Sequence, residues 1–151
     1  MNGLTKEESK LASYWNTPFA KICLGMTVND DTKWIKLDYE ATSLYSVLAK
    51  GLSQQNSLSR AGWKSLIDGS SLQKYCNESG FNMNKNSIKM RIGLFGNNED
   101  ECETPDSWIG FGAESQACRK TSKITCGNCA ECNWPDNKQK KIEAFGYVLV
   151  Q

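Results

Sequence analysis

The sequence predicts an α+β fold with a mostly antiparallel sheet, short helices and long disulfide-braced loops. Three observations point there. Runs of strand length and apolar or alternating pattern recur at 21–28, 33–39, 88–95, 108–112 and 142–150. Within the domain proper, helical signals are confined to two short stretches. Between the strands lie long polar segments, and one of them, 113–140, carries four of the seven cysteines.

Residues 1–13 read as a polar lead-in with Lys6, Glu7, Glu8 and Lys10, and residues 14–151 as the domain proper. Lys21 to Val28 reads as a strand. Asn29-Asp30-Asp31 is a turn signal, and Lys33 to Tyr39 alternates as the partner strand of a hairpin. Ser43 to Lys50 is a short helix, capped by Thr42 or Ser43 and ended by Gly51. Residues 52–62 read as loop. Trp63 to Ile67 is a second short helix or extended turn, stopped at Asp68-Gly69. The Asn-, Ser- and Lys-rich stretch 77–87 reads as another loop. Ile88 to Phe95 is the strongest strand. Trp108 to Gly112 is a shorter one with bulge-prone glycines. Residues 113–140 read as irregular, and Ile142 to Val150 as a closing strand apolar enough to be central.

A chain of 151 residues is about one domain and long enough to bury a core. Its 18 Lys and Arg balance 17 Asp and Glu, so nothing calls for nucleic acid or an anionic membrane. The only basic cluster, Lys138, Lys140 and Lys141, reads as a solvated loop. No apolar run approaches the roughly 20 residues of a membrane span. Residues 1–12 lack the apolar region of a signal peptide, which suggests a mature domain with an added Met1 or a fragment of a longer chain. There is no histidine, which excludes histidine triads and imidazole zinc sites.

Strand 88–95 runs into Asn97, Asn98, Glu99, Asp100, Glu101, Glu103 and Asp106, with Cys102 among them. Several carboxylate, amide and backbone oxygens on a strand-anchored loop suit a hard cation such as calcium, whose open positions accept sugar hydroxyls. A plain hydrophilic turn is the alternative, because no spaced EF-hand pattern is present. Trp108 and Trp134 flank this segment, and aromatic faces stack on the C–H faces of sugars. Trp134, in the polar Asn-Trp-Pro-Asp, is the stronger candidate wall; Trp108 fits the core of its glycine-rich strand. The run Cys126-Gly-Asn-Cys129-Ala-Glu-Cys132 is either a disulfide cluster or a zinc or redox motif. The disulfide reading draws on Cys76, Cys102, Cys118, Cys126, Cys129 and Cys132. It pairs Cys102 with Cys118 or Cys126, and ties Cys76 or Cys23 to another member. An odd count leaves one thiol over, and Cys23, in a strand, is the expected buried free one. Arg60, Lys64 and Arg91 have the charge to face a carboxylate-bearing sugar, but ordinary surface charges account for them better.

Cys23-Leu-Gly-Met26-Thr27 followed by Trp34-Ile-Lys-Leu37 resembles the opening hairpin of fibrinogen-related domains. Phe95-Gly-Asn-Asn-Glu99, Ile109-Gly-Phe-Gly112, Cys126-Gly-Asn128 and the closing strand resemble segments of intelectins, a lectin branch of that superfamily. Trp63-Lys-Ser-Leu-Ile67, Gly69-Ser-Ser-Leu-Gln73 and Asp106-Ser to Gly112 are similar to phrases of secreted cnidarian matrix-type proteins. The resemblance covers most of residues 14–151. It implies a minimal fibrinogen-related or intelectin-like domain, secreted and extracellular, with calcium held by Asn98, Glu99, Asp106 and Asn128, and Glu114 as an added ligand. Asn97, Trp108 and Trp134 would then face a glycan or a matrix component, with avidity from a possible homo-oligomer. Pro105 stands where those relatives often carry a cysteine, so one disulfide must be rewired. Cys118, Cys129 and Cys132 look like additions. A structural or adhesive matrix domain, with calcium only bracing the fold, is the second reading. Glycosidase-like chemistry by Glu99 with Asp106 is the third, and metal binding accounts for those carboxylates equally well.

Overall fold

The computed structural model describes residues 8–117 and 121–151. They form two antiparallel sheets with a few short helices. The smaller sheet has the order β10-β1-β2, formed by Phe145–Val150, Phe19–Val28 and Asp31–Ala41. The larger has the order β3-β4-β5-β6-β8-β9, with Gln54–Gln55, Ser79–Asn84, Ile88–Gly96, Ser107–Phe111, Cys126–Ala130 and Lys140–Glu143. A two-residue strand β7 (Glu114–Ser115) pairs with the start of β5. The helices are α1 (Ser13–Asn16), α2 (Leu44–Leu48) and α3 (Arg60–Lys64). None of the described helices is long and apolar enough to cross a membrane.

The β1–β2 hairpin closes through Asn29 and Asp30, at φ +49° and +64°. Two central residues with positive φ match the strands' own twist, and Asn and Asp tolerate that region best among residues with side chains. The expected α2 forms, with Ser43 and Ser46 making a reciprocal capping box. The second helix starts earlier than its apolar residues suggest, because the Ser59 side chain accepts from the Gly62 N–H and caps it.

One core lies between the sheets. Ile22, Leu24, Met26 and Leu37 of the small sheet meet Phe81, Ile92, Leu94 and Ile109 of the large one, with Trp63 and Leu72 from the intervening segment. A second core covers the large sheet's other face with Met90, Phe95, Trp108, Ile124 and Cys129.

Three sequence expectations are corrected here. The 77–87 loop contains β4, a strand buried along most of its length. Its polar residues are structural: Asn82, at φ +49°, donates to the Val47 and Leu52 carbonyls. The irregular stretch 113–140 contains β8, whose small residues fit between β6 and β9. The closing strand is not central. It divides at Ala144, whose N–H donates to the Cys126 carbonyl, into the edge strand β9 of one sheet and the edge strand β10 of the other. A strand that changes sheets at a bend makes a corner between them. Lys140 and Lys141 lie on the exposed edge β9, where charge discourages further strand pairing.

The disulfide expectations also change. Cys76 bonds Cys102, with Cα atoms 5.2 Å apart, so Cys102 is not paired with Cys118 or Cys126. Cys132 is disulfide-bonded too, and Cys118 lies outside the described residues. Cys126 and Cys129 are free. Three residues apart on one strand, they point to opposite faces: Cys126 packs against the inter-sheet core and Cys129 sits in the other. That geometry forbids a bond between them and a shared zinc. Burial pushes both thiols up, to about 12 and about 11, so neither is a reactive thiolate. Cys23 is free as expected, but half-buried rather than buried.

Candidate functional site

The β5–β6 connection, residues 97–106, is organised by two side chains. Asn97 is fully buried; its Nδ2 donates to the Glu101 carbonyl at 2.9 Å and to Glu101 Oε1 at 2.7 Å. Glu101 accepts further from the Glu103 N–H at 2.8 Å and from the Thr104 hydroxyl. The Thr104 hydroxyl and Glu103 N–H hold its carboxyl below the ordinary glutamate range. Asn97 also exchanges both backbone hydrogen bonds with Tyr75, and the Cys76–Cys102 bond pins the loop to that same segment.

Beside it lies a second loop with Trp134 at its tip. Trp134 is 82 % exposed and sits at φ +64°. A bulky side chain in the left-handed region costs on the order of 1–3 kcal/mol, and persists only where its surroundings hold it. Here both flanks are held. Gln73 Nε2 donates to the Asn133 carbonyl at 2.6 Å. Asp136 accepts from the Leu72 N–H at 3.0 Å, from Arg60 at 2.8 Å and from Lys64, and its own N–H donates to the Leu72 carbonyl. Arg60 is thus a clamp rather than an ordinary surface charge, since it also donates to the Leu72 and Gln73 carbonyls.

Gln73 joins the two loops. It is fully buried, and its amide meets Asn133 on one side and Asp106 on the other. Asn133 offers a carbonyl, which fixes the Gln73 nitrogen there and leaves Oε1 a buried acceptor without a partner among the described residues. Burial and then the charge of Glu99 raise the Asp106 carboxyl above the ordinary aspartate range; the hydrogen bond from Gln73 opposes this, and Glu101 adds to the rise. Folding therefore favours protonated Asp106, and its ionisation erodes stability as pH rises from the ordinary aspartate range through its folded value.

Asp136 behaves oppositely. Burial pushes its carboxyl up, but hydrogen bonds from Lys64, the Leu72 N–H and Arg60 outweigh that and hold it below the usual range. Its contribution is present above the unfolded aspartate pKa of about 3.9 and is lost as pH falls through the folded value. The stability gap between wild type and Asp136→Asn is expected to be widest at neutral pH and to shrink in strong acid. Thermal melts of both proteins across pH check this, and a gap independent of pH would contradict it.

Of the ligands implied by resemblance, Asn98, Glu99 and Asp106 lie on the organised loop, with Asn98 half-buried and Glu99 exposed. Asn128 leaves the set. It lies on the core face of β8, opposite Ile109 and Ile142, with no exposure. Its Oδ1 accepts from the Ser71 N–H, and its Nδ2 donates to the Ser71 and Trp108 carbonyls, each at 2.8 Å. Glu114 also leaves. It pairs with Lys89 at the start of β5, seven residues or about 23 Å from Gly96 at the other end. Trp108 is fully buried in the second core and Asn97 is spent on the loop, so neither faces a ligand. Among the described residues, the three-ligand cluster with atoms within 4.8 Å of one another is Cys76, Glu78 and Cys102, whose two sulfurs the disulfide takes. The acidic loop's carboxylates are thus near enough to repel, but not drawn together. Sequence reasoning missed Gln73, Arg60 and Asp136; a buried amide beside two polar loops has no periodic signal.

No protein-family model, curated protein or solved structure matches this chain.

Proposed function

We propose that this protein is a secreted carbohydrate-recognition domain whose ligand stacks on Trp134 beside the acidic loop, with calcium as the bridging ion. The observation that carries the reading is Trp134 itself, exposed and held at positive φ by bonds on both flanks. A backbone already fixed loses little freedom on binding, and sugars present C–H faces that suit an exposed indole. The donor chemistry of the loop suits calcium: Asp106 lies near enough to Glu99 for that charge to raise its carboxyl in part. A calcium ion there would be held by Asp106 and Glu99, with Asn98 and Gln73 near, and would offer open positions to vicinal hydroxyls. The chain's own part is to bind and orient the sugar, while a bound cation would offset the burial and the Glu99 charge that favour protonated Asp106. Disulfides fit an oxidising, extracellular setting.

Glu99→Ala is expected to weaken calcium binding at least tenfold. Glu103→Ala should change it little, since Glu103 is turned toward Lys85, 3.3 Å away. Calcium titration calorimetry on both variants checks this, and equal effects, or none, would remove the ligand assignment. A glycan array with wild type and Trp134→Ala, each with calcium and with chelator, tests the whole reading. It predicts signals that vanish with either change; signals that survive both would overturn it.

The second reading, a structural or adhesive matrix domain with calcium only bracing the fold, is favoured by one feature. Cys23 is a free, half-buried thiol on a sheet, open to cross-linking. Disulfide-linked dimers that vanish in Cys23→Ser, together with a blank glycan array, would put it first.

A further inference from the structure

We propose that the outer face of the three-stranded sheet is a second glycan platform, independent of calcium, which binds a neutral hexopyranose chain across Trp34 and Tyr147. The face is built in rows by strand register. Phe145, Thr27 and Thr32 form one row, Tyr147, Gly25 and Trp34 the next, and Leu149, Cys23 and Lys36 the third. Ile22, Leu24 and Met26 point the other way into the core. An added Cβ on Gly25 would lie 2.5 Å from Trp34 Cζ3, so the indole lies down over the bare backbone of β1 instead of standing off the sheet. Tyr147 continues the slab, its ring centroid 5.4 Å from that of Trp34 at 34°, and Phe145 follows at 5.0 Å from Tyr147. Trp34 and Leu149 remain 47 % and 49 % exposed.

The occupant follows from size and chemistry. Three strands at about 4.8 Å spacing and five residues at about 3.3 Å give a face of about 240 Å². A stable dimer needs about 800 Å² from each partner, so a second copy is poorly served. The slab is bordered by hydroxyls and by charges of both signs. Thr27 and Thr32 share a hydrogen bond of 2.6 Å beside Phe145, and Lys36 and Asp38 lie along β2. Ring faces edged by hydroxyls and mixed charge suit a ligand that alternates C–H faces with hydroxyl edges, and a neutral one. Among the described residues, no group of three metal-ligating side chains lies on this face, and the proposed binding uses no metal.

The test is calorimetric titration of the oxidised full chain with cellohexaose and with chitohexaose, in chelator and again with calcium. Trp34→Ala and Tyr147→Ala are each expected to weaken binding at least tenfold, while Trp134→Ala leaves it within twofold. Trp34 is exposed and Tyr147 half-buried, and unchanged melting temperatures confirm that both variants fold. Binding by neither sugar, or binding that survives Trp34→Ala, would overturn the proposal. Binding that requires calcium and Trp134 would overturn it while supporting the first site. Self-association in sedimentation velocity that Trp34→Ala abolishes would assign the face to a second copy instead.

Discussion

Asn128→Ala is expected to lower the unfolding free energy by about 3 kcal/mol. The side chain makes three hydrogen bonds in a fully buried setting, to the Ser71 N–H, the Ser71 carbonyl and the Trp108 carbonyl. Alanine leaves all three backbone groups buried without this partner, and each costs about 1 kcal/mol or more. The loss reaches beyond β8, because Ser71 belongs to the segment that holds Asn133 and Asp136 through Leu72 and Gln73. Urea unfolding of wild type and variant measures it. A loss under about 1 kcal/mol would show that water or a shifted Ser71 replaces the amide, and would reopen the surface role that resemblance implies for this residue.

Breaking the Cys76–Cys102 bond, as Cys76→Ser with Cys102→Ser, is expected to cost about 3.5 kcal/mol by loop-closure entropy. The bond closes a loop with a sequence separation of 26. Both its ends lie at the candidate site: Cys76 follows Tyr75, which pairs with Asn97, and Cys102 lies within the acidic loop. Calcium affinity should therefore fall with stability. Chemical denaturation with calcium titration separates the two effects. A variant that loses stability but keeps wild-type calcium affinity would show that Asn97 and Glu101 hold the loop unaided.

How much of this was legible in the sequence differs between pattern and position. The β1–β2 hairpin, β5, β6 and α2 were readable because their signals are local: alternation, an Asn-Asp turn and a serine cap. β4 and β8 were not. Their composition, Ser-Gly-Phe-Asn-Met-Asn and Cys-Gly-Asn-Cys-Ala, is that of loops, and only their neighbours make them strands. Small or polar residues are required there because an in-register line of Gly80, Gly93, Gly110 and Gly127 crosses β4, β5, β6 and β8. Added Cβ atoms at Gly110 and Gly127 would lie 2.4 Å and 2.0 Å from the Ile92 and Ile142 carbonyl oxygens. The acidic loop and Trp134 were visible as composition. Their proximity was not, because it depends on Gln73, which the sequence marks by nothing more than its place after Ser-Ser-Leu. Asn128 shows the opposite failure: a polar residue in a short motif drew a surface role, while its register opposite Ile109 and Ile142 puts it in the core.

A thermal melt of the oxidised protein, with excess calcium and again with chelator, tests the central claim most directly. A cation held by the folded acidic loop and absent from the unfolded chain stabilises by about 2.7 kcal/mol at a hundredfold excess over its dissociation constant. The account predicts a clear rise in melting temperature with calcium at neutral pH. The rise should fade as acid protonates Asp106 and should be absent in Glu99→Ala. Superimposable melts with calcium and with chelator would contradict it, and would leave Trp134 as an aromatic tip beside an acidic loop that holds no ion.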